Sequence, residues 1–134
     1  MRNSEKVGVA LYENLGKLFF AIAMADKSVH TKEVDKLKSF VRKYWLEVDE
    51  LEDEYGTDAA FRIEAVFDWL LENEMESAAG FEEFRSFYKE HKSRFTPFLK
   101  VLILDTAHAI ANAYARKNKS ELILLANLEI LLRT

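Results

Sequence analysis

Apolar residues recur along this chain in steps of three and four. Leu11, Leu15, Leu18 and Ile22 form the first such stripe, the spacing of one helix face. Phe19 and Ala23 widen that face, and Ser4 is placed to cap its start. Asp26 to His30 reads as a short polar turn. Val34, Leu37, Val41 and Tyr44 then make a second stripe, with Phe40 and Trp45 beside it and Thr31 at the capping position. Asp58 opens a third helix that turns Ile63, Val66, Phe67, Leu70 and Leu71 inward, and residues 73–80 read as a break. Phe81, Phe84 and Tyr88, with Phe87 adjoining, mark a further helix face. Thr96-Pro97 is the clearest helix start in the chain: Thr accepts a bond from an unpaired amide, and Pro at the first helical position loses nothing. Phe98, Leu99, Val101, Leu102, Ile103 and Leu104 cover nearly the whole circumference of the helix that follows, which predicts a central, buried helix. Ser120 is placed to cap the last helix, Glu121 to about Arg133. No segment alternates with period two. The pattern predicts an all-α fold, a compact single domain of about seven helices.

Composition narrows the chemistry. The chain has 134 residues, 49% hydrophobic and 31% charged, with four Gly and one Pro. That is a globular composition, poor in the turn residues an all-β fold needs. The absence of Cys excludes disulfides, thiolate zinc sites, iron–sulfur clusters and thiol catalysis. A formal charge of −4 gives nucleic acid no overall attraction. The apolar run from Leu15 to Ala25 is interrupted by Gly16 and Lys17; it is too short to span a bilayer and poorly placed for a signal peptide. Cytoplasmic localisation and no membrane insertion are the expectations.

The two ends of the chain repeat each other. An offset of 88 residues carries Ala21-Ile22-Ala23-Met24-Ala25 onto Ala109-Ile110-Ala111-Asn112-Ala113. Without a gap the same offset carries Glu33 onto Glu121, Leu37 onto Leu125 and Phe40 onto Leu128. Six of the twenty positions from 21 to 40 are identical to their partners. Alanines recur easily in helices, so the glutamate kept at one distance past both Ala-rich helix ends is the more telling match. The repeat predicts two helix–turn–helix units, about 5–45 and 97–133.

The first unit reads Leu18-Phe19-Phe20-Ala21-Ile22-Ala23-Met24-Ala25-Asp26-Lys27-Ser28-Val29-His30-Thr31-Lys32-Glu33. It resembles the tellurite-resistance TerB family, whose hallmark is a helix ending Ala-Asp-Gly, a short turn with valine or isoleucine, and a glutamate in the next helix. That family repeats the unit twice within one all-α domain. The resemblance implies a cytoplasmic, non-catalytic module tied to tellurium and other stress responses, with divalent-cation binding through turn acids and a place beside membrane or chaperone complexes. The acids it carries over are Asp26, Glu33 and Glu121. Two departures weaken a cation site: Lys27 stands where the family has Gly, and Tyr114 stands at the second aspartate position. Asn118, the partner of His30, offers an oxygen without charge. Hard cations need several oxygen ligands, so weak binding is the most these residues imply.

Each candidate also has an ordinary structural role. Asp26 can bond turn amides, and a glutamate in the first helical turn is favoured by the helix dipole. The spacing from Asp26 to Glu33 does not fit an EF-hand loop. His30 lies between those acids as a metal ligand or a solvated turn residue. Asp105 and His108 form one acid-x-x-His pair, whereas a di-iron site needs two and further glutamates; His108 falls opposite Phe20 in the repeat, on a packing face. His91 has no evident role. Phe81, Phe84, Phe87 and Tyr88, followed by Lys89, Lys92 and Arg94, have helical spacing and read as core rather than a base-stacking platform. The acidic stretch from Glu47 to Glu54 reads as a solvated connector ended by Gly56. No P-loop, Gly-x-Ser-x-Gly, dinucleotide or His-Glu-x-x-His motif is present. The leading function is a non-catalytic binding or scaffold module with a protein partner, no bound cofactor beyond a weak divalent cation, and peripheral association with membrane complexes. One rival is a pure protein–protein interaction domain without an ion. Another is a metal-dependent enzyme that uses the same acids.

Overall fold

A computed structural model of the chain describes residues 2–25, 27, 29–48, 58–75, 78–113 and 119–134. These form six α-helices rather than about seven: α1 (Arg2–Ala23), α2 (Thr31–Lys43), α3 (Arg62–Glu72), α4 (Ala78–Glu90), α5 (Pro97–Asn112) and α6 (Lys119–Leu132). Short 3-10 turns at Trp45–Glu47, Ala59–Phe61 and Lys92–Arg94 link them. No β-strand occurs among the described residues, and the fold is all-α.

The axis of the molecule is α1. It packs against α3 and α4 along much of its length, and against α5 and α6 as well. Every residue from Leu18 to Ala23 is buried, so this stretch is enclosed on all sides. Two glycines permit that enclosure. A Cβ on Gly16 would lie 2.8 Å from the Ile63 carbonyl oxygen and 2.9 Å from the Val66 Cβ of α3. A Cβ on Gly80 of α4 would lie 2.6 Å from the Lys17 carbonyl oxygen of α1. Both neighbours are too close for any side chain, so α3 and α4 press backbone to backbone on adjacent residues of α1. Residues 73–80 are therefore not all a break: α4 begins at Ala78, and Gly80 belongs to its first turn.

Against that axis, α2 lies on α5 and touches α3. Its buried stripe is Glu33, Leu37, Val41 and then Trp45, displaced from the predicted one, and Tyr44 points outward at 41% exposure. Trp45 is the reason. Its indole is fully buried, meets Tyr12 edge-on at 6.4 Å, and donates from Nε1 to Thr106 Oγ1 of α5 at 3.0 Å. Thr106 in turn donates to the Leu102 carbonyl at 2.7 Å. A buried indole N–H without a partner is costly, so this chain of bonds sets where the end of α2 sits on α5.

One of the other helix starts is as expected, and the rest differ in small ways. Thr96 Oγ1 accepts the Leu99 N–H at 3.1 Å with Pro97 in the first turn. Asp58 caps a 3-10 turn that runs into α3, through an oxygen that accepts the Ala60 N–H at 3.0 Å. Ser4, Thr31 and Ser120 lie inside helices rather than at their caps. Phe84, Tyr88 and Phe95 are buried together, with Tyr88 and Phe95 rings 4.8 Å apart, which makes the aromatic group of α4 core.

Adding one methyl at Gly80 sets overpacking, about 1–3 kcal/mol, against about 1 kcal/mol of regained helix propensity. The opposing atom is a backbone oxygen that cannot rotate away. We expect Gly80→Ala to lose about 1–2 kcal/mol in urea unfolding, and Ile103→Ala or Leu128→Ala, both at fully buried positions, to lose about 2–5 kcal/mol. An unchanged midpoint for Gly80→Ala would show that α1 and α4 are not in backbone contact.

Candidate functional site

The turn acids come first. Asp26 lies outside the described residues, as do Tyr114 and Asn118. Lys27 has φ 68°, the left-handed region, and its N–H closes a turn on the Met24 carbonyl at 2.8 Å. A side chain there costs about 1–2 kcal/mol that glycine would not incur. Glu33 is the third residue of α2 and is buried at 3% exposure. Its Oε1 accepts the backbone N–H of His30, the extended N-cap residue, at 2.9 Å. That is the glutamate arm of a capping box, a carboxylate on an otherwise unpaired donor at the positive end of the helix.

Glu121 is the third residue of α6 and is buried at 4% exposure. It thus occupies the helix position of Glu33, as the 88-residue offset predicts. Ile22 and Ile110 are both fully buried, and Leu37 and Leu125 are both core. Among the described residues, no three His, Asp or Glu side chains gather in a group that could hold a metal ion. Glu33 is bonded to its own helix start, and Glu121 lies in the first turn of α6. Asp105 is exposed on α5, His108 is half-buried, and His91 rests against the Phe87 ring at 4.6 Å.

A different feature stands out on the surface. The first half of α5 is not enclosed: Phe98 is 68% exposed and Val101 57%, contrary to the expectation of a wholly buried helix. Together with Leu102, Asp105 and Ala109 they form one wall of a groove of about 660 Å³. Phe40 of α2, Tyr44 just past its end, then Glu47 and Val48 form the other wall. The Phe40 and Tyr44 rings pack at 5.0 Å, and Lys43 Nζ lies 5.4 Å from the Tyr44 ring centre. The Trp45–Thr106–Leu102 bonds hold the walls to a common floor. Aromatic and aliphatic walls with few polar groups are the usual make-up of a binding surface. Helical spacing does not announce it: Tyr44 falls in step with Leu37 and Val41, and Phe98, Val101 and Leu102 share one side of α5.

The chain matches no protein-family model, no curated protein and no solved structure. No helix among the described residues is long and apolar enough to cross a membrane.

The left-handed backbone and the cap make opposite predictions for two neighbouring positions. Lys27→Gly removes the strain but adds about 0.5–1 kcal/mol of unfolded-chain freedom; the strain is larger, and we expect a net gain of about 0.5–1 kcal/mol. Glu33→Ala removes a buried cap and is expected to lose about 1 kcal/mol or more. Thermal melts of both variants check this. A stabilised Glu33→Ala would show that the carboxylate is held against a cost, as a ligand-binding group is.

Proposed function

We propose that this chain is a non-catalytic binding module of scaffold type that docks a protein partner in the groove between α2 and α5. The observation that carries this reading is the exposure of Phe98 and Val101 within that groove. Covering these two side chains would remove about 200 Å² of apolar surface, worth about 5 kcal/mol. Association costs at least as much in lost freedom. A single anchor is therefore insufficient, and the partner has to run along the groove and use Phe40, Tyr44 and Val48 too.

The kind of module is that of TerB-like domains. Support comes from Lys27, whose left-handed backbone stands where the family motif has Gly, and from the buried glutamates at the third position of both α2 and α6. In this reading the chain works in the cytoplasm, in a stress response of the tellurite-resistance kind, beside a membrane or chaperone complex.

Replacing Phe98 by a photo-crosslinking phenylalanine analogue tests the docking surface in cells. Trp69, 56% exposed and outside the groove, is the control position. A discrete protein adduct at position 98 and not at position 69 is expected. Equal labelling at both positions would remove the groove from the function.

A further inference from the structure

The groove also carries information about its occupant. Both walls are helical stripes. Along α5 the wall runs from Phe98 to Ala109, a rise of about 16 Å, or about three turns. The facing wall starts with Phe40 and Tyr44, one turn apart on α2 and its end, and continues through Glu47 and Val48. Two such stripes, one on each side of a shallow floor, match the surface that receives an amphipathic helix with anchors at i, i+4 and i+7.

Charge then selects among helices. Among the described residues, the charged side chains that line the groove are Glu47 on one wall and Asp105 on the other, both exposed. Lys43 sits over the Tyr44 ring at the groove wall. An incoming helix therefore meets a carboxylate on each flank of an apolar strip. Basic residues flanking apolar anchors satisfy both acids, and acidic residues there meet like charge on both sides. We propose that the groove binds an amphipathic partner helix whose apolar face is bordered by Lys and Arg. This rests on the docking reading above and adds the class of partner.

The test uses the full chain and labelled helix-forming peptides of about 18 residues. One carries Leu and Phe anchors flanked by Lys; its twin has Glu at every Lys position; a third scrambles the first. Fluorescence anisotropy should show saturable binding of the basic peptide, roughly tenfold or more weaker binding of the acidic twin, and none of the scramble. Added salt should weaken the basic peptide. Glu47→Lys with Asp105→Lys should reverse the preference, and Phe98→Ser should abolish binding. Phe98 is exposed, so that variant is expected to keep the wild-type melting temperature.

Equal binding of both charge types, lost in Phe98→Ser, would overturn the basic-helix inference and leave the docking reading standing. So would a self-associated wild type that Phe98→Ser makes monomeric and that binds no peptide: the occupant would be a second copy of this chain. No peptide binding at all, with a crosslinked partner still formed at position 98, overturns only the helix. Peptide binding that survives Phe98→Ser unchanged overturns both.

Discussion

The close approach of three backbones at Gly16, Lys17 and Gly80 is the constraint on which the rest of the structure depends. A helix of 22 residues can serve as the axis of a small domain only if its neighbours come close enough to bury it. Here α3 reaches the α1 backbone at Gly16, and α4 reaches it one residue later through its own glycine. Dispersion and burial both fall off within an ångström or so of contact. One methyl at either site would lift a helix away from Leu15, Leu18, Phe19 and Ile22 together. With α3 and α4 fixed on one side of α1, α5 and α6 take the remaining surface, and α2 is left to cover part of α5.

That arrangement shows why the two repeat units are not equivalent in what they bury. The helix starts of α2 and α6 share a register, with a buried glutamate at the third position of each. Beyond the first turns they diverge. In α2 the next buried residues are Leu37 and Val41, and the helix runs into the Trp45 turn. In α6 the core side is Leu125, Leu128, Leu131 and Leu132, while Leu122, Ile123 and Ile130 face outward. The position of the glutamate within its helix is local, whereas the buried face that follows is set by the neighbours each helix packs against.

Legibility followed the same division between local and non-local physics. The stripe of α1 and the Thr96-Pro97 start were readable because each depends on helix periodicity or on a bond within one turn. The shifted face of α2 was not, because Trp45 is pulled inward by a hydroxyl 61 residues away. Gly80 looked like a breaker because its role is to admit the backbone of α1, which no local pattern announces. The turn acids were legible as a pair of matched glutamates, and Glu33 proves to be occupied by its own helix start. Asp26 lies outside the described residues. The groove escaped for a simple reason: an apolar circumference says that a helix can be buried all round, and only the number of neighbours says whether it is.

The exposed sector of α5 is best understood through what α5 already has. Leu99, Leu102, Ile103, Thr106, Ala107, Ile110 and Ala111 are buried, which gives the helix a complete core face without Phe98 or Val101. Those two contribute little to the folded chain and carry a cost, because exposed aromatic and β-branched side chains invite association. Polar residues would serve α5 equally well there. A position that breaks the local rule with no gain inside the molecule points to a gain outside it. The break falls where the indole of Trp45, bonded to Thr106, has fixed the distance between two helices and left a strip between them. The same bond that orders the core therefore shapes the surface on which a partner would be recognised.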